Sequence, residues 1–121
     1  MSEELKPHWP KYVSFLQLSS EAEVESLFYL KGFGPNEKAL FQEVFLAWFK
    51  GASLSVNEAI AISHLGSPAT LHKRLALLRD LKLVDAVHLN EDHRSKFLQP
   101  TDTGIKYIEM LSKCLAQAAA T

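Results

Sequence analysis

The sequence predicts a small, mainly helical domain carrying one β-hairpin. Three observations predict it. Helix-start signatures recur at Ser20, Gly34-Pro35, Ser55, Ser67-Pro68 and Thr101, while strand-like runs are confined to residues 84–99. The 121 residues are 47% hydrophobic, enough for one core. A chain of this length buries roughly two thirds of its unfolded surface, so it folds without disulfides or metals. Its single cysteine, Cys114, forms no internal bridge and fits a reducing compartment. No run of about 18 apolar residues spans a membrane. Met1 to Pro10 is polar and broken by Pro7 and Pro10, unlike a secretory leader, so the expected setting is cytoplasmic with no membrane partner.

The elements follow in order. Pro7 and Pro10 argue against a helix start, and Trp9, Tyr12, Phe15, Leu16 and Leu18 read as an N-terminal arm, residues 1–19, that packs against another surface. The domain proper runs from 20 to 121. Ser20 and Glu23 fit a capping box, in which hydroxyl and carboxylate each satisfy a free backbone N–H. A short helix is expected from there to about Lys31, with Val24, Leu27 and Phe28 inward and Gly32 as its stop. Gly34-Pro35 opens the next helix, because proline's missing N–H is not needed in a first turn. Leu40, Phe41, Val44, Phe45, Leu46, Trp48 and Phe49 cover most of its circumference, which predicts burial on more than one side before Gly51 ends it.

Ser55 and Glu58 form a second capping box, opening a helix that ends near His64. Leu65-Gly66 is a tight connection, after which Ser67 caps and Pro68 begins a helix reaching about Lys82. Two helices joined by so short a glycine-containing turn make a helix-turn-helix over about 56–82. Strands are expected at 84–89 and 95–99 around the polar tip Asn90-Glu91-Asp92-His93, a wing spanning about 84–99. Thr101 caps a C-terminal helix to about 118, with Lys106, Glu109, Lys113 and Gln117 on one polar stripe. Its apolar face is wider than a small core uses, so part of it is expected to be a dimer seam. Helix, helix, turn, helix, hairpin, helix is the order of a winged helix-turn-helix, an α+β fold.

The formal net charge of −1 argues against nucleic acid only until its distribution is counted. Residues 1–66 hold five lysines and eight glutamates, whereas residues 67–121 hold eight basic and six acidic residues. Lys73, Arg74, Arg79, Lys82, Arg94 and Lys96 fall within 24 residues. At about 100° per residue, Leu71, Leu75 and Leu78 share one side of the 68–82 helix. Ala69, Thr70, Lys73, Ala76, Leu77 and Asp80 lie opposite, flanked by His72 and Arg74.

A recognition helix reads base edges through its first turns. There Thr70 offers a hydroxyl and a methyl, Lys73 or Arg74 suits guanine O6 and N7, and small Ala69 permits close approach. Free N–H groups of Ser67, Ala69 and Thr70 suit a phosphate. Leu77 either touches a thymine methyl or packs on another segment. Arg94 and Lys96, just past the wing tip, suit the minor groove or its phosphates.

These segments resemble the MarR-type winged-helix transcriptional regulators. The resemblance covers roughly residues 36–112 and rests on Leu54-Ser-Val-Asn-Glu-Ala-Ile-Ala, Ser67-Pro-Ala-Thr-Leu-His-Lys-Arg-Leu, Leu83-Val, Asp92-His-Arg-Ser-Lys and Pro100-Thr-Asp-Thr-Gly104. It implies a homodimer on a pseudo-palindromic operator, with helices at both ends packing as the dimerisation region and a small-molecule effector of unknown identity. On the family's pattern Ser67, Ala69, Thr70, His72 and Lys73 match recognition-helix positions, and Arg94 matches the wing arginine. Three positions depart from the pattern: Lys82 stands for the usual glycine, Pro100 for a leucine and His93 for an arginine. The 20 residues after Thr101 leave room for one helix where the family has two.

The leading expectation is therefore a sequence-specific double-stranded DNA binder without enzymatic activity or cofactor. The alternative is a protein-interaction winged-helix module, of assembly or anti-repressor type. The acidic first half, Leu77 and the aromatics Trp9 and Tyr12 support it. A zinc site at His88, Glu91, Asp92 and His93 matches no established spacing. Cys114 reads as a packing residue, or as a thiol pairing across a dimer seam.

Overall fold

A computed structural model describes residues 7–25, 30–88 and 95–121. It contains five α-helices and one antiparallel strand pair among those residues: α1 (Trp9–Glu25), α2 (Pro35–Phe49), α3 (Val56–Ile60), a 3-10 turn (Ser63–Leu65), α4 (Pro68–Asp80), β1 (Val84–Val87), β2 (Phe97–Pro100) and α5 (Asp102–Ala119). The architecture is mainly helical with a two-stranded hairpin. The described residues group into two compact units, one within Leu30–Ile105 and one drawn from Met1–Tyr29 with Lys106–Thr121.

In the Leu30–Ile105 unit the caps form as the sequence predicts. Ser55 Oγ accepts from Glu58 N–H at 3.1 Å while Glu58 Oε1 accepts from Ser55 N–H at 2.9 Å, the full reciprocal box. The Ser55 backbone N–H, and then its hydroxyl, hold the Glu58 carboxyl below its usual range. The helix they open is only five residues long, and the chain reaches Leu65 through the 3-10 turn instead of continuing to His64 as one α-helix. Thr101 Oγ1 accepts from Gly104 N–H at 3.0 Å and donates to the Lys82 carbonyl, so one hydroxyl starts α5 and fastens it to the end of α4. A Cβ on Gly104 would lie 2.3 Å from the Leu83 carbonyl oxygen, an approach that only glycine permits.

The core of this unit is Phe33, Leu40, Phe41, Val44, Ala59, Leu71, Leu75, Leu78, Leu83, Val84 and Leu98. Phe33 meets Phe41 edge-on at 6.3 Å between centroids. Each fully buried large side chain here contributes about 1.5–3 kcal/mol over its exposed state. Helix α2 buries Leu40, Phe41 and Val44, but Leu46 and Phe49 are exposed, so its burial is narrower than its composition suggests. The strands pair Val84 with Pro100 and Val87 with Phe97, and the wing tip at 90–93 lies outside the described residues. Segment 54–56 adds a short edge to β2: Leu98 N–H donates to the Leu54 carbonyl at 2.8 Å and Val56 N–H to the Lys96 carbonyl at 3.2 Å.

The other unit corrects the reading of the N-terminal segment as an arm that cannot begin a helix. Helix α1 starts at Trp9, with the His8 carbonyl accepting from the N–H groups of Lys11 and Tyr12. Pro10 sits in the first turn, where its missing N–H has no intrahelical partner to lose. Because the helix is already running, Ser20 and Glu23 lie inside it, and the expected capping box has no orphan N–H to satisfy. Val24, expected inward, is 68% exposed, while Leu27 and Phe28 lie outside the described residues.

Helices α1 and α5 run antiparallel. Lys11 Nζ donates to the Ala119 carbonyl at 2.6 Å, where its charge also suits the helix C-terminus, and Tyr107 Oη donates to Glu23 Oε1 at 3.2 Å at the other end. The two contacts are separated by equal numbers of residues on each helix. Along α5, Tyr107, Cys114 and Ala118 are buried, and Lys113 pairs with Glu109 at 3.5 Å on the polar stripe.

Candidate nucleic-acid interface

Helix α4 presents the candidate site, and its N-terminus shows how. Ser67 has the extended backbone of a cap; its Oγ accepts from Thr70 N–H at 3.2 Å and donates to Thr70 Oγ1 at 2.9 Å. The Thr70 N–H is therefore taken by the cap, which corrects its expected place among free phosphate-binding groups. The Thr70 methyl lies against Gly66, 3.4 Å from where a Cβ there would stand, so the side chain is half-buried. Ser67, Ala69, His72, Lys73 and Ala76 are exposed. Leu71, Leu75 and Leu78 on the opposite side are buried at 0%, 4% and 0% exposure, as the angular reading expects.

Two members of the predicted face turn out to serve the fold. Arg74 Nη1 donates to the Leu65 carbonyl at 2.7 Å, and its Nε lies 3.7 Å from Glu37 Oε2 on α2. The guanidinium thus joins α4 to the preceding turn and to α2, and is held back from the open face. Leu77 is half-buried, with its Cδ2 3.1 Å from where a Cβ on Gly32 would stand. Gly32 has φ +88°, so glycine serves both the turn and the leucine's close approach. Of the two readings of Leu77, packing on another segment is the one observed.

Lys96 is exposed just before β2, its carbonyl fixed by Val56 N–H. Arg94, the other wing residue of the predicted site, lies outside the described residues, as do Glu91, Asp92 and His93. His88 Nδ1 lies 2.9 Å from the Ser95 carbonyl oxygen; a carbonyl only accepts, so this nitrogen carries the proton. Among the described residues no three His, Cys, Asp or Glu side chains cluster as a metal site, and no helix is long and apolar enough to cross a membrane.

In the sequence Arg79 stands out only as part of a basic stretch, and His88 only as one of four residues in a zinc reading of unmatched spacing. The fold brings both beside Lys96 in one cleft, with Ser55 and Asn57. The signal was present in the basic count, but which cations meet depends on pairing between segment 54–56 and β2. Neither a scan against protein-family models nor a search of the curated proteins finds a match for this chain.

Proposed function

We propose that the chain is a winged helix-turn-helix transcriptional regulator of MarR-like type that binds double-stranded DNA sequence-specifically as a homodimer. The observation that carries this reading is the exposed first half of α4. Small Ala69 beside His72 and Lys73 stands opposite three buried leucines, on a helix held to its neighbour by a short turn. That is the shape and chemistry a major groove admits. Lys73 is the base-reading cation in this mechanism, since Arg74 is engaged by Leu65 and Glu37. The wing, with Lys96 and Arg94, contacts the adjoining backbone. Two copies set their α4 helices about 34–36 Å apart on a pseudo-palindrome.

The test is selection from a random duplex pool followed by a salt titration. Lys73→Ala is expected to weaken binding and relax preference at one base position, by about 1–3 kcal/mol of discrimination. Lys96→Ala is expected to weaken all sequences alike and flatten the salt slope. Unchanged affinity in both variants overturns the proposal. Absence of any salt-sensitive duplex binding favours the protein-interaction module instead. Exposed Trp9 and Tyr12 on α1 support that second reading, whereas half-buried Leu77 no longer does.

A further inference from the structure

Beyond the first half of α4, basic side chains from separate elements converge within the Leu30–Ile105 unit. Arg79 comes from the last turn of α4, His88 from just past β1 and Lys96 from just before β2, and with Ser55 and Asn57 they line a cleft of about 430 Å³. Two backbone bonds and one side-chain bond fix its frame: Val56 N–H donates to the Lys96 carbonyl at 3.2 Å, Leu98 N–H to the Leu54 carbonyl at 2.8 Å, and the His88 ring Nδ1 lies 2.9 Å from the Ser95 carbonyl oxygen.

Both the Arg79 and Lys96 side chains are exposed, and neither charged group has a hydrogen-bond or ion-pair partner among the described residues. Arg74, five residues before Arg79 and on another side of α4, is engaged with Leu65 and Glu37, so the contrast lies in the fold and not in the residue type. The Glu58 carboxylate is held by Ser55 N–H and does not line the cleft. Asp80 and Asp85 line a neighbouring groove that Arg79 also borders, without forming an ion pair with it.

We propose that this cleft seats one phosphate group, with Arg79 and Lys96 as its charge partners and Ser55 and Asn57 as neutral donors. A guanidinium fork and an ammonium on separate elements suit an anion with several acceptor oxygens, and the fork adds bidentate geometry. A free phosphate and a backbone phosphodiester share this chemistry. The seat stands on the cleft alone; its assignment to a duplex backbone rests on the function proposed above.

The test titrates the full isotope-labelled chain, by NMR, with inorganic phosphate and separately with a duplex of about two helical turns. Arg79→Gln, Lys96→Gln and Lys73→Ala are compared with the unaltered chain. Saturable shifts are expected at Ser55, Asn57, His88 and Lys96. Arg79→Gln and Lys96→Gln each weaken or abolish them, and Lys73→Ala leaves them in place with inorganic phosphate. In the duplex arm, Arg79→Gln lowers the salt slope by about 0.9 for each bound copy, the loss of one phosphate contact per copy. Saturation by both probes supports a seat open to either source, and saturation by duplex alone assigns a backbone phosphate. Saturation by inorganic phosphate without any duplex binding leaves the seat standing while the proposed function falls. No saturable shift at these residues with either probe overturns the seat, as do shifts that Arg79→Gln and Lys96→Gln both leave unchanged.

Discussion

Lys82 and Gly51 hold the same position in the same helix-ending motif. After α2, Gly51 N–H donates to the Trp48 carbonyl at 3.0 Å and Ala52 N–H to the Ala47 carbonyl at 2.9 Å; after α4, Lys82 N–H and Leu83 N–H reach the Arg79 and Leu78 carbonyls, each at 3.0 Å. Both residues take positive φ, +76° at Gly51 and +62° at Lys82. A side chain in this left-handed region costs about 1 kcal/mol that glycine avoids, partly offset by glycine's looser unfolded chain. Lys82→Gly is therefore expected to stabilise the protein by about 0.5–1 kcal/mol, seen as a higher urea midpoint at unchanged slope. Lys82, which departs from the glycine of the MarR-type pattern that the sequence resembles, takes a backbone conformation that suits glycine.

Tyr107 is the second residue whose setting makes a measurable difference. Burial first, and then the Glu23 carboxylate that accepts its hydroxyl, push the phenol above its ordinary range. The native state thus holds this proton more tightly than the unfolded chain does. The resulting stability is fully present below pH about 10 and is lost as pH rises towards the folded value. Urea midpoints measured between about pH 9 and pH 11 should fall less steeply in Tyr107→Phe than in the unaltered chain. Equal slopes would show that the phenol titrates alike in both states.

At the scale of elements, caps were the most legible feature because each is a pattern confined to about three residues. Ser55, Ser67 and Thr101 all make the expected bonds. Ser67→Ala is expected to lose about 1 kcal/mol by urea denaturation, and Ser67→Asp to recover most of it. The same local logic misled at Ser20, since a Ser-x-x-Glu pattern inside a running helix has nothing to cap. Helix α1 was obscured for a related reason: Pro10 reads as a breaker in an interior and as a neutral first-turn residue at a start. The α4 leucines were legible because a period of about 3.6 residues decides which side faces inward.

For the whole molecule, the net charge of −1 conceals an uneven distribution, and non-specific duplex affinity should accordingly be modest and strongly salt-dependent. Useful binding would then depend on two linked copies. Trp9, Tyr12, Val13 and Leu16 on α1 and Leu115 on α5 are exposed apolar side chains, and the proposed dimer would draw its contacts from them. Leu16→Glu is expected to shift the chain from dimer to monomer in light scattering and to weaken operator binding at least tenfold, with the fold retained because Leu16 is already 44% exposed. A monomeric unaltered chain would remove the dimer from the proposal.

By itself the sequence determined the helix starts at Ser55, Ser67 and Thr101, the strand pair, the buried leucines of α4 and the exposure of Lys73. Each follows from hydrogen bonds or periodicity within a few residues. The packing of Leu77 on Gly32, the bonds of Arg74 to Leu65 and Glu37, the approach of the Leu83 carbonyl to Gly104 and the placing of Arg79 and Lys96 along one cleft arise only in the folded chain. Those partners are distant in the chain or fixed by strand register, so no local pattern encodes them; they exist only once burial of the shared core brings the segments together.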